Sequence, residues 1–429
     1  MQMQVNMPMP LDRVSRDPGA NGAPSSLYAG FIRCGDRAGA GEDLAWSAAT
    51  TPGEVTAMLA AQPGFREMLE RNGPHADPER FLAPLAASPS YGAPYVLLGR
   101  AGGRARAVVL GRSSTRRVSY RLGYARLRWL PMRCMDVAYR GLITDGSVAA
   151  SRFVVEQFQA LLRQREFDRI TVNKLPLGHP LAAPLRVLDR SVVERPRAHW
   201  MIDLQPGDFE STMSRHSARH RSHLRRLDRR LTRRVDGELE VREYRREEEF
   251  ASMLAEVRRV AAETYQTQIG AGIAHNPGLE QVLGVAARSG KLLSFALYGA
   301  GRPLAFQLGV VHGDTYYCEG TGYCASDEGH RPGTVLFIRV LQRLCELGLR
   351  RVDFGFGDSE YKRVYGTRYH FESTIHVYGP GLRTAVPRLI DSSVERIGRS
   401  ALTAALEKHV RRQWRTHLSQ VLRRGEHAR

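Results

Sequence analysis

The stretch from Gly329 to Tyr369 constrains the fold most, because it reads as a helix, a short strand and a glycine-rich loop in direct succession. Pro332 suits the first turn of a helix, and Gly348 suits the left-handed position after its last turn. Apolar residues recur between them at helical spacing, at Val335, Ile338, Leu341 and Cys345. A buried strand at Val352 to Phe354 then leads into the loop opened by Gly355 to Gly357. Since ionisable side chains at the carboxyl end of a strand often form a site, we expect the function here.

Length and composition indicate a globular protein with two domains. The chain has 429 residues, of which 42% are hydrophobic and 8% aromatic, and this length exceeds what one core usually organises. No apolar run approaches the roughly 18 residues of a membrane span. Residues 1–26 lack the charged start and apolar core of a secretory signal. The five cysteines show no metal-ligand spacing, which predicts a reducing, cytoplasmic compartment and no structural zinc.

The order of predicted elements is similar in the two halves of the chain. Each half reads as a helix, antiparallel strands, a long helix and a further strand, which favours a duplicated α+β unit. We expect a disordered tail at 1–44, a first domain at 45–199, a second at 200–382 and a basic amphipathic helix at 383–429. That last helix would pack on the protein itself, on a partner or on an anionic membrane surface.

Positive charge is concentrated between the two halves. The formal net charge is +19 and the pI is near 10.2, values that favour anionic partners but also fit an arginine-rich genome without functional meaning. Ser214 to Arg234 holds nine arginines and one acidic residue, Asp228. Leucines on one side predict an amphipathic helix with an arginine face. Three interpretations remain open: binding of tRNA or another polyanion, clamping of donor or nucleotide-sugar phosphates, or a solvated face paired with carboxylates at Glu247, Glu248 and Glu249.

The sequence resembles GNAT-superfamily acyltransferases of the cellulose-biosynthesis type in three stretches, SRHSARHRSHLRRLDRRL, GHRPGTVLFIRVLQRLCELGLRRVDFGFGD and SEYKRVYG. That family is related to the Fem aminoacyl-transferases, which carry two GNAT-like folds in tandem. The resemblance covers roughly Asp203 to Gly379. It implies an α+β fold of tandem GNAT-like domains, each a mixed, mostly antiparallel sheet flanked by helices.

The resemblance also implies where an acyl donor binds. In GNAT folds the thioester lies between splayed strands, here Thr315–Tyr323 and Arg351–Gly355, and its pyrophosphate rests on amides at the start of the next helix. Those amides would belong to a loop formed by His330, Arg331, Gly333, Thr334 and Val335. Two positions depart from the superfamily pattern, because Pro332 has no amide hydrogen and Val335 replaces a small residue.

Acyl transfer requires a base, a stabiliser of the developing oxyanion and an acid for the leaving group. Asp358 and Glu319 are the candidate bases, Tyr361 is the candidate acid, and Lys362 would neutralise an oxyanion or phosphate. The structural alternatives are a helix cap or an ion pair with Lys362 for Asp358, and a loop-bonding pair for Tyr361 and Lys362.

Substrate contacts are expected from the arginine helix and the sheet. Arg225 and Arg226 would bind the substrate, and Tyr317 and Tyr323 would line the acceptor site or simply pack the sheet.

The leading hypothesis is therefore a GNAT-type acyltransferase that uses acyl-CoA, typically acetyl-CoA, and no metal. The group transferred would be other than aminoacyl. Its acceptor would be an amine or hydroxyl of a sugar, a cell-envelope precursor or a small metabolite, as in polysaccharide biosynthesis. The alternatives are a Fem-like transferase that uses aminoacyl-tRNA and a non-catalytic accessory protein of exopolysaccharide biosynthesis. We expect a cytoplasmic protein, with peripheral contact to the inner face of the membrane or to a partner through the C-terminal helix.

Overall fold

The computed structural model describes residues 44–61, 63–70, 72–122, 125–235, 239–262 and 276–398. The expected N-terminal tail and the C-terminal helix beyond residue 398 lie outside these ranges. Among the described residues, no helix has the length and apolar composition needed to cross a lipid bilayer.

The α-helices of the described residues are α1 Pro52–Ala60, α2 Pro63–Glu70, α3 Pro78–Ala87, α4 Val148–Arg163, α5 Ala182–Arg186, α6 Phe209–Met213, α7 Ala218–Arg234, α8 Phe250–Ala262, α9 Pro277–Arg288, α10 Pro332–Glu346, α11 Glu360–Tyr365 and α12 Leu382–Gly398. Their ends follow local chemistry. Thr51 and Glu54 form a capping box at α1, and the Ser217 hydroxyl caps α7. Helix α10 begins at Pro332 and is followed by the left-handed Gly348, as the sequence predicts.

The strands are β1 Leu44–Ala49, β2 Ala93–Ala101, β3 Arg104–Leu122, β4 Ala125–Thr144, β5 Arg169–Pro176, β6 Ser191–Val193, β7 Arg197–Asp203, β8 Leu239–Tyr244, β9 Ser294–Gly299, β10 Arg302–His312, β11 Thr315–Tyr323, β12 Arg351–Phe356 and β13 Arg368–Tyr378. The predicted α+β fold class, with mixed sheets flanked by helices, is confirmed.

The chain divides into two compact units. One comprises Met1–Ala48, Leu97–Pro196 and Ser373–Arg429, and the other comprises Ala49–Val96 and Arg197–Glu372. Residues 49–96, with α1 to α3, group with the second unit.

The first unit contains the strand order β1-β2-β3-β4-β5. Strands β3 and β4 form a long antiparallel pair, whereas β4 and β5 are parallel. Helix α4 lies against this sheet, and its Phe153 ring stacks on Trp46 at 4.7 Å. Strand β6 pairs with the second half of β13.

The second unit contains the strand order β13-β7-β12-β11-β10-β9-β8. One face carries a core shared by α7 and α10, with Leu227, Leu231 and Val340 buried. The other face packs against α8 and α9 through residues such as Val257 and Leu283. Within the described pairs of this unit, only β11 and β12 are parallel, with α10 as the crossover between them.

Candidate functional site

Strands β11 and β12 separate soon after they begin. They pair only from Thr315–Tyr317 to Arg351–Asp353. In β11, Cys318 lies opposite Gly309 and Gly320 lies opposite Leu308, which leaves Glu319 as the extra residue of a β-bulge. The bulge and the end of pairing open a cleft at the carboxyl end of the two strands, where the sequence analysis expects the acyl donor.

The five loop residues expected to bind the donor lie together at the start of α10. Arg331 caps the helix in a left-handed conformation, with φ 53°. The amides of Thr334 and Val335 both donate to the Arg331 carbonyl, at 3.0 and 3.2 Å, and the Val335 side chain is buried. A Cβ atom at Gly333 would lie 3.1 Å from the ring of Tyr323, so this predicted acceptor residue packs on the first turn of the helix.

Lys362 shapes the end of β12. Its buried ammonium donates to the carbonyl oxygens of Phe354, Gly355 and Phe356, at 2.8, 3.2 and 3.0 Å. Gly355 and Gly357 both have positive φ, which suits this tight loop. These bonds match the loop-bonding alternative.

Asp358 lies on the same loop, and Tyr361 lies in α11, the helix that follows it. Asp358 accepts a hydrogen bond from the Trp200 indole at 3.2 Å and lies 3.5 Å from Arg363. The Tyr361 ring contacts Phe354 and Phe337 edge-on, at 5.6 and 6.4 Å between centroids, and 40% of the residue is exposed. Burial of the hydroxyl raises the pKa of Tyr361, which therefore keeps its proton at neutral pH.

Glu319 forms a buried ion pair that the sequence did not reveal. Arg80 of α3 donates to its carboxylate at 2.6 Å, and the two side chains are 6% and 13% exposed. Burial alone would raise the pKa of Glu319, but the charges of Arg80 and His75 outweigh it and lower the pKa. His75 also meets the Tyr317 ring edge-on at 5.6 Å. Residues 239 positions apart thus meet here, and no local pattern marks Arg80.

A second buried polar cluster adjoins the point where β11 and β12 separate. His199 of β7 lies 2.6 Å from Asp353 through Nε2 and 3.2 Å from Glu372 through Nδ1. Glu372 in turn lies 2.9 Å from His370, which is partly exposed. We call these four residues the His199 network. No local pattern in the sequence connects Asp353 with the other three, because the four residues lie on three strands that only the tertiary fold brings together.

The charges of the His199 network are set by mutual hydrogen bonding. Burial would lower the pKa of His199, but hydrogen bonds to Asp353 and Glu372 outweigh it and raise the pKa. Burial would raise the pKa of Glu372, and its bonds to the two histidines lower it to about 2. The centre of the network is therefore an imidazolium between two carboxylates.

Three members of the network also have the spacing of a metal site. Donor atoms of His199, His370 and Glu372 lie within 4.8 Å of one another. The two imidazole rings stack at 4.7 Å with an interplanar angle of 18°. Because lone pairs lie in the ring planes, nearly parallel rings do not direct both nitrogens at one ion. We therefore interpret the cluster as a hydrogen-bond network.

The arginine helix α7 presents a cationic surface. Its leucines are buried, and Asp228 pairs with Arg339 at 3.0 Å. Within the described part of the chain, the predicted substrate residues Arg225 and Arg226 form no ion pair or hydrogen bond. The expected carboxylate partners at 247–249 do not reach α7; instead, Glu249 binds Arg246 at 2.6 Å. Glu247, Glu248 and Glu249 therefore do not neutralise the arginine face, and the interpretation of a solvated face stays a prediction.

Comparisons with known proteins agree with this description. Residues 218–363 match the family model of an acetyltransferase (GNAT) domain, which is less than half of the chain. No curated protein matches the sequence. The structure of FemX is similar over 80% of this chain and 100% of its own, with 13% identity and a TM-score of 0.50.

Two further solved structures show weaker similarity. A tandem GNAT protein from the clavulanic acid biosynthesis pathway is 12% identical, with 79% of this chain and 99% of that chain covered and a TM-score of 0.45. A GCN5-related N-acetyltransferase from Sphaerobacter thermophilus is 14% identical, with coverages of 79% and 98% and a TM-score of 0.39. The chain thus shares its fold with FemX and carries, from α7 to α11, a segment that matches a GNAT acetyltransferase domain.

Proposed function

We propose that the second unit transfers an acyl group from acyl-CoA to an amine, in the cleft where β11 and β12 separate. The observation that carries this proposal is the early end of pairing between these strands beside the N-terminus of α10, within the segment that matches a GNAT acetyltransferase domain. The helix N-terminus and Arg331 supply positive charge for the donor pyrophosphate. The thioester would lie between the strands.

Transfer would be direct, from donor to acceptor. Cys318 is the thiol nearest the strand separation, and burial raises its pKa to about 12, so it remains a neutral thiol and a poor nucleophile. Glu319 is held as a carboxylate by Arg80 and is a weak base. The His199 imidazolium already carries its protons, and hydrogen bonds lower the pKa of Glu372, so the His199 network is not the proton acceptor. We therefore keep Asp358 as the predicted base.

An acceptor ammonium gives one proton to Asp358, and the lone pair of the resulting amine attacks the acyl carbonyl. As the carbon–nitrogen bond forms and the carbon–sulfur bond breaks, the thiolate takes the proton of Tyr361. The excess proton on the new amide nitrogen then restores the phenol. Lys362 acts as a positioning residue that holds the end of β12.

The charged groups near the cleft balance one another. Glu319, Asp353 and Glu372 contribute three carboxylates, against the positive charges of Arg80, His199 and Lys362. The charge of Asp353 acts on Glu319, so the two clusters share one environment. An amino sugar or a sugar-linked precursor is the acceptor class that the resemblance to cellulose-biosynthesis acyltransferases favours.

Thiol release from acetyl-CoA and longer acyl-CoAs, measured with amino sugars and other amines, tests the reaction. We expect Tyr361→Phe to lower kcat about 100-fold, because the leaving thiolate loses its acid. Tyr369→Phe is the matched control, since Tyr369 is 55% exposed and packs on Trp200. Wild-type turnover in Tyr361→Phe would remove this residue from the mechanism, and no thiol release with any donor would contradict the proposed reaction.

An aminoacyl-tRNA donor is the second candidate. It is favoured by the arginine face of α7, whose 17 residues span about 25 Å and on which Arg225 and Arg226 form no ion pair or hydrogen bond with a described residue. Such a surface would bind tRNA with an affinity that falls steeply as salt increases.

A further inference from the structure

The first half of α7 forms one side of a recess that the proposed reaction does not use. The recess has a volume of about 400 Å³ and is lined by Ser217, Arg219, His220, His223 and Arg226. These positions follow helical spacing and therefore lie along one face of α7. The lining offers two guanidinium groups, two imidazoles and a hydroxyl, and it contains no carboxylate.

The positive charge of this recess is not neutralised within the described part of the chain. Arg219 and Arg226 are exposed and make no ion pair or hydrogen bond there. Other arginines around it are occupied, since Arg230 donates to the Gly329 carbonyl and Arg339 pairs with Asp228. The recess also lies at the N-terminal end of a 17-residue helix, whose dipole adds to the positive potential. An anionic ligand would satisfy both guanidinium groups.

The recess adjoins the start of α10. The Arg230 bond to Gly329 ties α7 to the turn that precedes the donor loop. The His220 imidazole lies 3.3 Å from the Tyr365 hydroxyl, and the Tyr365 ring packs on Phe337 of α10 at 4.9 Å. Arg331, the cap of α10, acts electrostatically on Tyr365. The buried side chains of Tyr365 and Phe337 therefore connect α7 with α11 and the first turns of α10.

We infer that the recess of α7 binds phosphate groups of a nucleotide-linked acyl donor, so that α7 and the N-terminus of α10 hold the same ligand. Planar guanidinium groups bind phosphate oxygens in bidentate fashion, and two of them face this recess. The inference rests on the proposed function for the identity of the donor. Its test is a binding measurement that does not depend on turnover.

Calorimetric titration with coenzyme A, and with pantetheine as the phosphate-free probe, tests the inference on the full chain. We expect Arg226→Gln and Arg219→Gln each to weaken coenzyme A binding about tenfold and to leave pantetheine binding unchanged. Arg234→Gln is the matched control. It removes the same charge from the same helix, about 12 Å further along, at an exposed and unpaired position.

The outcomes separate the inference from the proposed reaction. Equal coenzyme A affinity in Arg226→Gln, Arg219→Gln and Arg234→Gln would overturn the phosphate site, even if acyl transfer were observed. Loss of binding confined to the two recess variants would support the site, even if no acceptor were found. Binding of a short RNA but of no small phosphate probe would also overturn the inference and identify α7 as a polyanion surface. Circular dichroism of each variant verifies that the helix is retained.

Discussion

At the residue scale, the burial of charge distinguishes this protein from an ordinary α+β core. Two clusters, Arg80 with Glu319 and the His199 network, lie at the cleft, and all of their side chains except the partly exposed His370 are buried or nearly buried. Buried ions are retained only where each finds partners, because an isolated buried charge costs several kcal/mol. Each cluster is therefore sensitive to loss of a single member.

Replacement of His199 by Gln should reveal this dependence through pH. The raised pKa of His199 means that its stabilising effect is complete below about pH 6.5, the ordinary histidine value. The effect declines as pH rises through the higher native pKa. At pH 6, we expect His199→Gln to lower the free energy of unfolding by about 3–5 kcal/mol, because two buried carboxylates lose their cation. Urea denaturation of the wild type and of His199→Gln at pH 6 and pH 9 measures the difference in free energy of unfolding, which should be smaller at pH 9. A difference that does not change with pH would show that His199 is neutral in the native state.

The buried pair of Arg80 and Glu319 makes a separate prediction. Arg80→Ala should destabilise the protein by about 3–5 kcal/mol, since Glu319 would be left charged and buried. A double variant, Arg80→Met with Glu319→Met, should recover most of that loss. The control is Glu79→Ala, on the same helix as Arg80. It breaks only the exposed ion pair between Glu79 and Arg288 of α9 and should cost under about 1 kcal/mol. Thermal or urea unfolding measures the stability of Arg80→Ala, of the double variant and of Glu79→Ala. If Arg80→Ala were no less stable than Glu79→Ala, Glu319 would take up a proton when Arg80 is absent.

At the element scale, α7 shows how one helix combines two tasks. Its leucines contribute to the core beneath the sheet, with Leu231 fully buried, while its arginines remain on the outer side. The leucine spacing in the sequence predicts this division, because helical periodicity is a local property. The sequence could not show that Glu247 to Glu249 form no salt bridge with α7, since a salt bridge between two elements depends on how the fold places them.

The loop after β12 gives a second example at this scale. The sequence shows the glycines and polar residues of this loop and the helix that precedes the strand. It does not show where the Lys362 side chain lies, because its three carbonyl partners come together only when the loop folds around the ammonium. Neighbouring residues therefore predict that a site exists here, whereas the role of each side chain depends on packing.

At the scale of the whole molecule, residues 49–96 belong with the second unit, although they precede most of the first in the sequence. Arg80 binds Glu319, and the Tyr91 hydroxyl accepts a hydrogen bond from the Gly278 amide at 2.7 Å. Both contacts hold this early segment to the unit that carries the cleft.

A fragment of residues 200–382, the second domain expected from the sequence, lacks this early segment. We expect it to be largely insoluble or to melt well below the full chain, because Glu319 would lose Arg80 and α9 would lose α3. The same fragment with Glu319→Gln should recover part of the soluble yield. Soluble expression and thermal melting compare the three proteins, and a fragment as stable as the full chain would show that residues 49–96 are dispensable for folding.

Local periodicity and turn chemistry suffice to predict the features that depend on neighbouring residues. These are the α+β class, the helix–strand–loop order around α10 and β12, the start of α10 at Pro332 and the leucine stripe of α7. Which distant side chains meet, such as Arg80 with Glu319 or His199 with Asp353 and Glu372, is evident only in the folded protein. Such pairings are set by strand order and by the return of separate chain segments to one core, and the spacing of residues along a single sequence carries no signal for them.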